Sequence, residues 1–300
     1  MKVLILGSSG FIGRNLSQLL PNSDGISLRN ENWKSKVADS DVIINLVGKA
    51  HDHKKIATEK DFYFVNVQLI KDIFKEFVSS EARLLIHISS IAALEEFNSE
   101  RPLLESDSCN PSSFYGKTKR EAEKWLLLQP IPDGKRVIIL RPPMVHGTGD
   151  KGNLRLLYRL LSNGIPYPLS AFKNQRSFIC IDNFTYFIQK IIETNKLETG
   201  IYHISDDETV STNQIVDIIK KLENKKGLDF NFPQCLIKLI ATLGDFLPIP
   251  LNNVRLAKMT GNLVVSNNKI KTELGIVKLP LTAEAGLIKT IRGFKSDKNI

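Results

Sequence analysis

Val3-Leu4-Ile5-Leu6-Gly7-Ser8-Ser9-Gly10-Phe11-Ile12-Gly13 is the stretch that decides how the rest of this chain is read. Four apolar residues form a run too short for the core of a secretion signal, and they read as a buried β-strand. From Phe11 to Leu20 the pattern becomes helical, so the three glycines fall on a strand-to-helix turn with the spacing G-x-x-G-x-x-G. Gly7 suits the tight turn, Gly10 lets the backbone approach a pyrophosphate, and Gly13 lets the helix pack closely on the strand. The first helical turn then presents unbonded N–H groups and the positive end of the helix dipole to an anion. Glycines at such a turn can be purely structural, but the strand–loop–helix context favours binding. Gly7, Gly10, Phe11, Ile12 and Gly13 are therefore the candidate dinucleotide-phosphate site.

Moving outward, Val42–Val47, Leu84–Ile88 and Val137–Leu140 are short, β-branched apolar runs of the kind buried on both faces of a parallel sheet. Ile26–Leu28 is a weaker candidate for the second strand. Helical stretches at Phe11–Leu20, Thr58–Ser79 and Ser112–Leu128 alternate with these strands. The alternation predicts an α/β fold, a Rossmann-like doubly wound parallel sheet. After Arg141-Pro142-Pro143 the pattern loosens into helices near 153–162, 183–194, 211–223 and 281–292, with short strands at 177–181 and 200–204. This predicts a dinucleotide-binding domain over 1–150 and a smaller α/β substrate domain over 151–300. Some segments, such as 177–194, return to the main sheet.

Composition excludes several classes. The chain has 300 residues, 42% hydrophobic and 24% charged, enough for a normal core without a disulfide or metal staple. Cys109, Cys180 and Cys235 are odd in number and widely spaced, which argues against a disulfide framework and fits a reducing cytoplasm. His51 and His53 have no carboxylate or cysteine spaced to complete a metal site, so none is expected. His87, Trp33 and Trp125 read as packing residues. No apolar stretch reaches the ~20 residues of a membrane span. Leu236–Leu247, interrupted by Lys238, Gly244 and Asp245, reads as an amphipathic helix of the smaller domain. The net charge of +9 is scattered in pairs such as Lys54–Lys55 and Lys225–Lys226, unlike the dense basic element of a nucleic-acid binder. Such a field draws in anionic small molecules.

NAD enzymes of this fold carry an acidic residue at the end of the second strand, where it bonds the ribose hydroxyls. Here the position reads Ser27-Leu28-Arg29-Asn30. Arg29, with Arg14 assisting from the helix start, suits a 2′-phosphate, so NADP(H) is favoured over NAD(H).

Tyr115 and Lys119 lie one helical turn apart on one face, and Ser89 and Ser90 close a strand at the end of the sheet where ligands of open α/β folds bind. A hydride moving to or from a carbinol carbon needs a matching proton, which a phenol can give or take. An ordinary tyrosine, with a pKa of about 10, needs nearby positive charge to do so at neutral pH.

At this point the sequence resembles the extended short-chain dehydrogenases/reductases that handle nucleotide sugars. The shared features are GSSGFIG at 7–13, the asparagine of Phe64-Val65-Asn66-Val67, HISS at 87–90, YGKTK at 115–119 and LRPPMVHG at 140–147. The resemblance implies Tyr115 as proton donor and acceptor, with Lys119 binding the nicotinamide ribose and lowering the tyrosine pKa. It implies Ser90 rather than Ser89 as the third member, and Asn66 near the cofactor. It also implies diphosphate contacts at Asn153, Arg176 and, by a looser match, Arg255; guanidinium forks suit such oxygens, and a surface salt bridge is the alternative account of each. The helix holding Phe62–Phe64 implies a homodimer interface with the tyrosine's helix.

Within that family, 152–183 looks most like reductases of a UDP-linked 2-acetamido-2,6-dideoxy-4-hexulose, which serve surface polysaccharide synthesis. The alternative is an NAD-dependent UDP-sugar 4-epimerase. A third reading is a non-catalytic dinucleotide-sensing module, which commonly lacks the tyrosine or the lysine; both are present here.

Overall fold

A computed structural model describes residues 1–50, 58–224, 232–247 and 251–296. His51, His53, Lys54, Lys55, Lys225 and Lys226 lie outside the described residues. In chain order the elements begin β1 (Val3–Leu6), α1 (Phe11–Leu19), β2 (Ser23–Ile26), α2 (Trp33–Ala38), β3 (Val42–Asn45) and α3 (Glu59–Tyr63). A π-helical turn (Phe64–Gln68) leads into α4 (Leu69–Ser79), followed by β4 (Leu84–Ile88), a 3₁₀ turn (Ile91–Ala93), α5 (Phe114–Leu127), β5 (Arg136–Arg141) and β6 (Met144–His146). The remainder is α6 (Asn153–Ser162), β7 (Phe178–Cys180), α7 (Ile181–Glu193), β8 (Gly200–His203), α8 (Thr212–Leu222), α9 (Gln234–Phe246), α10 (Asn253–Thr260), α11 (Asn268–Leu274) and α12 (Ala283–Ser296).

Six strands form one parallel sheet in the order β2-β1-β3-β4-β5-β8, and β6 pairs with β7 in a separate two-stranded sheet. The strand alternation of period two sorts side chains to opposite faces. Val3, Ile5, Ile44, Ile86 and Ile138 pack with Leu16 of α1 and Phe184, Phe187 and Ile188 of α7. Leu4, Leu6, Ile43, Leu85 and Ile139 pack instead with Ile70, Phe74 and Phe77 of α4 and Ala122 and Leu126 of α5. Helices therefore cover both faces, which is why these strands read as unbroken apolar runs. A separate core joins Leu154, Tyr158, Phe178, Ile215, Ile219, Leu287 and Phe294.

Three departures from the sequence reading have physical causes. β2 is Ser23–Ile26 rather than Ile26–Leu28, because its position is set by register with β1 (Val3 opposite Ser23, Leu6 opposite Ile26). As an edge strand with little apolar content of its own, it carries almost no local signal. The helix expected over Thr58–Ser79 is capped by a reciprocal Thr58–Asp61 pair but is split by the π turn, which rotates Asn66 inward. β6, following two prolines, exists through its pairing with β7, and α2, α10 and α11 were likewise not legible as separate elements. The expected amphipathic helix is α9. Among the described residues no helix is long and apolar enough to cross a membrane, and no cluster of His, Cys, Asp and Glu is arranged to hold a metal. Cys109, Cys180 and Cys235 are free thiols.

Candidate active site

The glycine loop is built as its sequence demands. Gly7 has φ +86°, a conformation that favours glycine, and its N–H donates to Ile26 O at 3.0 Å. Gly10 begins α1 with no side-chain cap, and no acidic residue stands in the first turn, so the helix N-terminus faces outward with its donors open to an anion. A Cβ added to Gly13 would lie 2.6 Å from both Gly7 O and Ser8 Cα, so the helix sits against the loop at a distance only glycine allows. Phe11 and Ile12 pack on the sheet core beneath the loop. This cradle fits the pyrophosphate of a dinucleotide. Arg14 donates to Ser9 O at 2.9 Å and so braces the loop itself, while Arg29 is exposed three residues past the end of β2.

Ser90, Tyr115 and Lys119 meet where β4 and α5 converge. Ser113 caps α5 by accepting from Gly116 N at 3.1 Å, which starts the helix one residue before Tyr115. The Tyr115 side chain hydrogen-bonds Ser90, whose Oγ also accepts from Ala92 N at 3.2 Å. Lys119 is buried, and its Nζ donates to Ile88 O at 2.9 Å. Gly48 closes over it: a Cβ there would stand 3.0 Å from Lys119 Nζ. Ser89 points elsewhere and is committed to Glu123 Oε1 at 2.6 Å, so the geometry separates the two serines that the sequence left side by side.

Electrostatics follow from burial. Burial pulls Lys119 down to about 8, opposed by the negative charge of Glu123. Burial pushes the Tyr115 phenol up; the Ser90 hydrogen bond opposes this, and the Glu96 carboxylate adds to it. Glu96 is a residue the sequence reading missed. Its carboxylate accepts from Ser113 N at 2.8 Å and Ser113 Oγ at 2.7 Å and bridges to Lys258 of α10 at 2.9 Å. It thereby links the start of the tyrosine's helix to the smaller core's side of the molecule.

Asn66 is buried and fully used within the protein: its amide donates to Thr118 Oγ1 at 2.9 Å and Lys49 O at 3.2 Å, and its oxygen accepts from Lys49 N at 2.8 Å. It clasps the loop after β3 to α5 and so holds Gly48 against Lys119. Sequence spacing shows no such role. His87 packs in the core, with its Nδ1 3.0 Å from Asn45 Nδ2. The amide N–H₂ is the donor there, which places the ring proton on Nε2.

The three expected diphosphate contacts differ in setting. Arg176 is partly buried, its Nη1 donates to Gly261 O at 3.0 Å, and burial lowers its pKa with no carboxylate paired to it among the described residues. A desolvated guanidinium without an acidic partner is suited to an incoming anion. Asn153 opens α6 and is exposed, and Arg255 is exposed on α10, the helix that ends beside Arg176's partner Gly261.

A family model described as the RmlD substrate binding domain matches residues 1–276. The chain belongs to that family. Similar curated proteins include UDP-glucose 4-epimerase of Vibrio cholerae, 27% identical over 99% of this chain and 96% of its own length. Another is dTDP-4-dehydrorhamnose reductase of Aggregatibacter actinomycetemcomitans, 26% identical over 92% of this chain and 94% of its own. In fold the chain is similar to UDP-glucuronic acid 4-epimerase from Bacillus cereus in complex with NAD, with TM-score 0.78, 18% identity and 99% of each chain covered. RmlD-family membership bears out the resemblance to extended short-chain dehydrogenases/reductases. The chain is an enzyme of the nucleotide-sugar epimerase/reductase family, on an α/β Rossmann-like fold, and a nicotinamide dinucleotide is the cofactor that fits its glycine loop.

Proposed function

We propose that this enzyme reduces the C4 keto group of a UDP-linked 2-acetamido-2,6-dideoxy-4-hexulose in the synthesis of surface-polysaccharide sugars. The observation that carries the reductase reading is the end of β2: Ile26 is bonded to the glycine loop, and the residues that follow, Ser27-Leu28-Arg29-Asn30, hold an exposed arginine and no carboxylate. That favours NADP(H), which a reductase exchanges every cycle. The bound dinucleotide would supply the hydride. Ser90 Oγ holds the substrate's keto oxygen, and Tyr115 gives its proton to that oxygen as the carbon is reduced. The Lys119 ammonium steadies the phenolate left behind until solvent returns a proton. Arg176, with Asn153 and Arg255, would hold the diphosphate, and the part of the chain from 151 onward would supply most of the sugar contacts. Exposed Tyr63, Phe64 and Phe114, at 38, 55 and 47% of full exposure, would pair in a homodimer, and a cytoplasmic setting suits the free thiols.

The epimerase reading has its own support, since the Vibrio relative is as similar as the reductase. An epimerase keeps its hydride on the enzyme between half-reactions, so its dinucleotide survives purification. A reductase purifies largely empty and consumes added NADPH in proportion to 4-ketosugar. Denaturing the purified protein, measuring released dinucleotide and then following NADPH absorbance decides between them. Stoichiometric bound NAD with interconversion of UDP-hexoses, and no NADPH consumption, selects the epimerase.

Arg29→Ala should abolish a preference for NADPH over NADH in steady-state kinetics, because on this reading Arg29, exposed beyond β2, is the cation that would face a 2′-phosphate. Equal kcat/KM for the two cofactors in the wild type would refute the NADP assignment.

A further inference from the structure

Behind the reacting groups lies a polar cluster that no step above uses. Glu123 stands on α5 four residues after Lys119 and eight after Tyr115, so all three share one side of the helix. Its carboxylate is fully buried and accepts four hydrogen bonds: from Ser89 Oγ at 2.6 Å, Arg141 Nε at 2.8 Å, Arg141 Nη2 at 2.6 Å and Arg120 Nη1 at 3.2 Å. Arg141, the last residue of β5, is equally buried and grips the carboxylate with two nitrogens. Its Nη2 also lies 3.5 Å from Cys109 Sγ, and its Nη1 has no hydrogen-bond partner in the described structure.

A buried ion pair is a poor source of stability, since apolar residues of the same volume often serve as well or better. What distinguishes this one is where its partners lead. Ser89, held by Glu123, immediately precedes Ser90, and its N–H donates to Leu140 O at 2.8 Å, beside Arg141. Ile91, immediately after Ser90, donates to Pro142 O at 2.9 Å, on the other side of Arg141. Lys119, one turn before Glu123, donates to Ile88 O at 2.9 Å on the same strand end. The chain carrying Ser90 is therefore pinned on both sides to β5 and to α5, with the Glu123–Arg141 pair at the junction.

We infer that Glu123 and Arg141 form a positioning pair that sets Ser90, Tyr115 and Lys119 in register and holds a negative charge beside the Lys119 ammonium. This deepens the proposed function and rests on its assignment of Ser90, Tyr115 and Lys119. The groups facing Lys119 are Glu123 on its own helix, His87 and the Ile88 carbonyl on β4, and the backbone of Gly48. His87 is kept neutral by burial and by Lys119 itself. Glu123 is the group that counters the burial of Lys119, and its loss lets the Lys119 pKa fall further below its ordinary value. Reduction, which needs the ammonium, then fails at lower pH.

Glu123→Gln keeps the size of the side chain and removes the charge. In that variant Lys119, titrated by NMR of its side-chain amine, should ionise about one pH unit lower than in the wild type, and kcat should drop about fivefold at pH 8, where the ammonium fraction falls from about one half to about a tenth. The alkaline limb of kcat for NADPH-dependent ketosugar reduction should move down by the same amount. Glu123→Gln with Arg141→Met guards against misfolding caused by an orphaned cation, and it should fold and show the same Lys119 shift. Unchanged Lys119 titration with kcat within twofold overturns the inference, as does a double variant that fails to fold, since the pair would then be structural. Tyr115→Phe is the control for the underlying assignment. Normal turnover there rejects the catalytic reading, whereas a dead Tyr115→Phe beside an unshifted Glu123→Gln rejects the positioning pair alone.

Discussion

Tyr115→Phe should fold, bind dinucleotide and lose at least about 100-fold in kcat, the scale set by removing a general acid. The substitution deletes one oxygen from a half-buried ring on a helix whose start is fixed independently by Ser113 and Glu96. The fold therefore has little reason to respond. What disappears is the hydroxyl hydrogen-bonded to Ser90, which in the proposed mechanism gives the substrate oxygen its proton. Lys119 cannot replace it: its Nζ is buried and bonded to Ile88 O. Because the effect is on the chemical step, KM for the nucleotide sugar should change little while kcat collapses. Circular dichroism, dinucleotide titration and steady-state kinetics on the same preparation make the test, and near-normal turnover in the folded variant would sink the mechanism.

A pair of glycine substitutions should separate packing from ligand approach. At Gly13 a methyl group would meet Gly7 O and Ser8 Cα at 2.6 Å, both of them backbone atoms that cannot swing aside. Gly13→Ala should therefore push α1 off the loop, lowering stability by about 1–3 kcal/mol, the usual range for overpacking. Dinucleotide affinity should fall at least about tenfold with it, because displacing the helix N-terminus misdirects its N–H donors. At Gly10 the nearest atom to an added Cβ is Gly7 O at 3.4 Å, so the folded loop tolerates a methyl there. Gly10→Ala should keep its Tm within a degree or two yet bind dinucleotide more weakly, since the methyl occupies the face the pyrophosphate approaches. Equal Tm losses for the two variants, or unchanged affinity in both, would contradict this account of the loop.

Much of the fold was legible because its signals are local. β1, β3, β4 and β5 are apolar on both faces, so each is recognisable from four to six consecutive residues. The opposite holds for β2, whose two middle residues are exposed and whose place is set by its neighbour. Asn66 and Glu96 show the same division within the site. Asn66 was found by its motif, but its clasp on Lys49 and Thr118 spans 17 and 52 residues of sequence. Glu96 reaches Lys258 across 162 residues, and no window of sequence holds both.

The sequence alone determined the parallel α/β architecture, the glycine loop at its first turn and the tyrosine–lysine pair. Each depends on a spacing of a few residues, which the geometry of one helix or one turn converts directly into proximity. Only the tertiary structure decided that Ser89 is committed to Glu123, that Asn66 holds a loop, and that Arg176 lies desolvated with no carboxylate paired to it among the described residues. It also joined Glu123 to Arg141 across the junction of α5 and β5. Those facts rest on which groups lose water together, and burial is a property of the packed chain rather than of any segment within it.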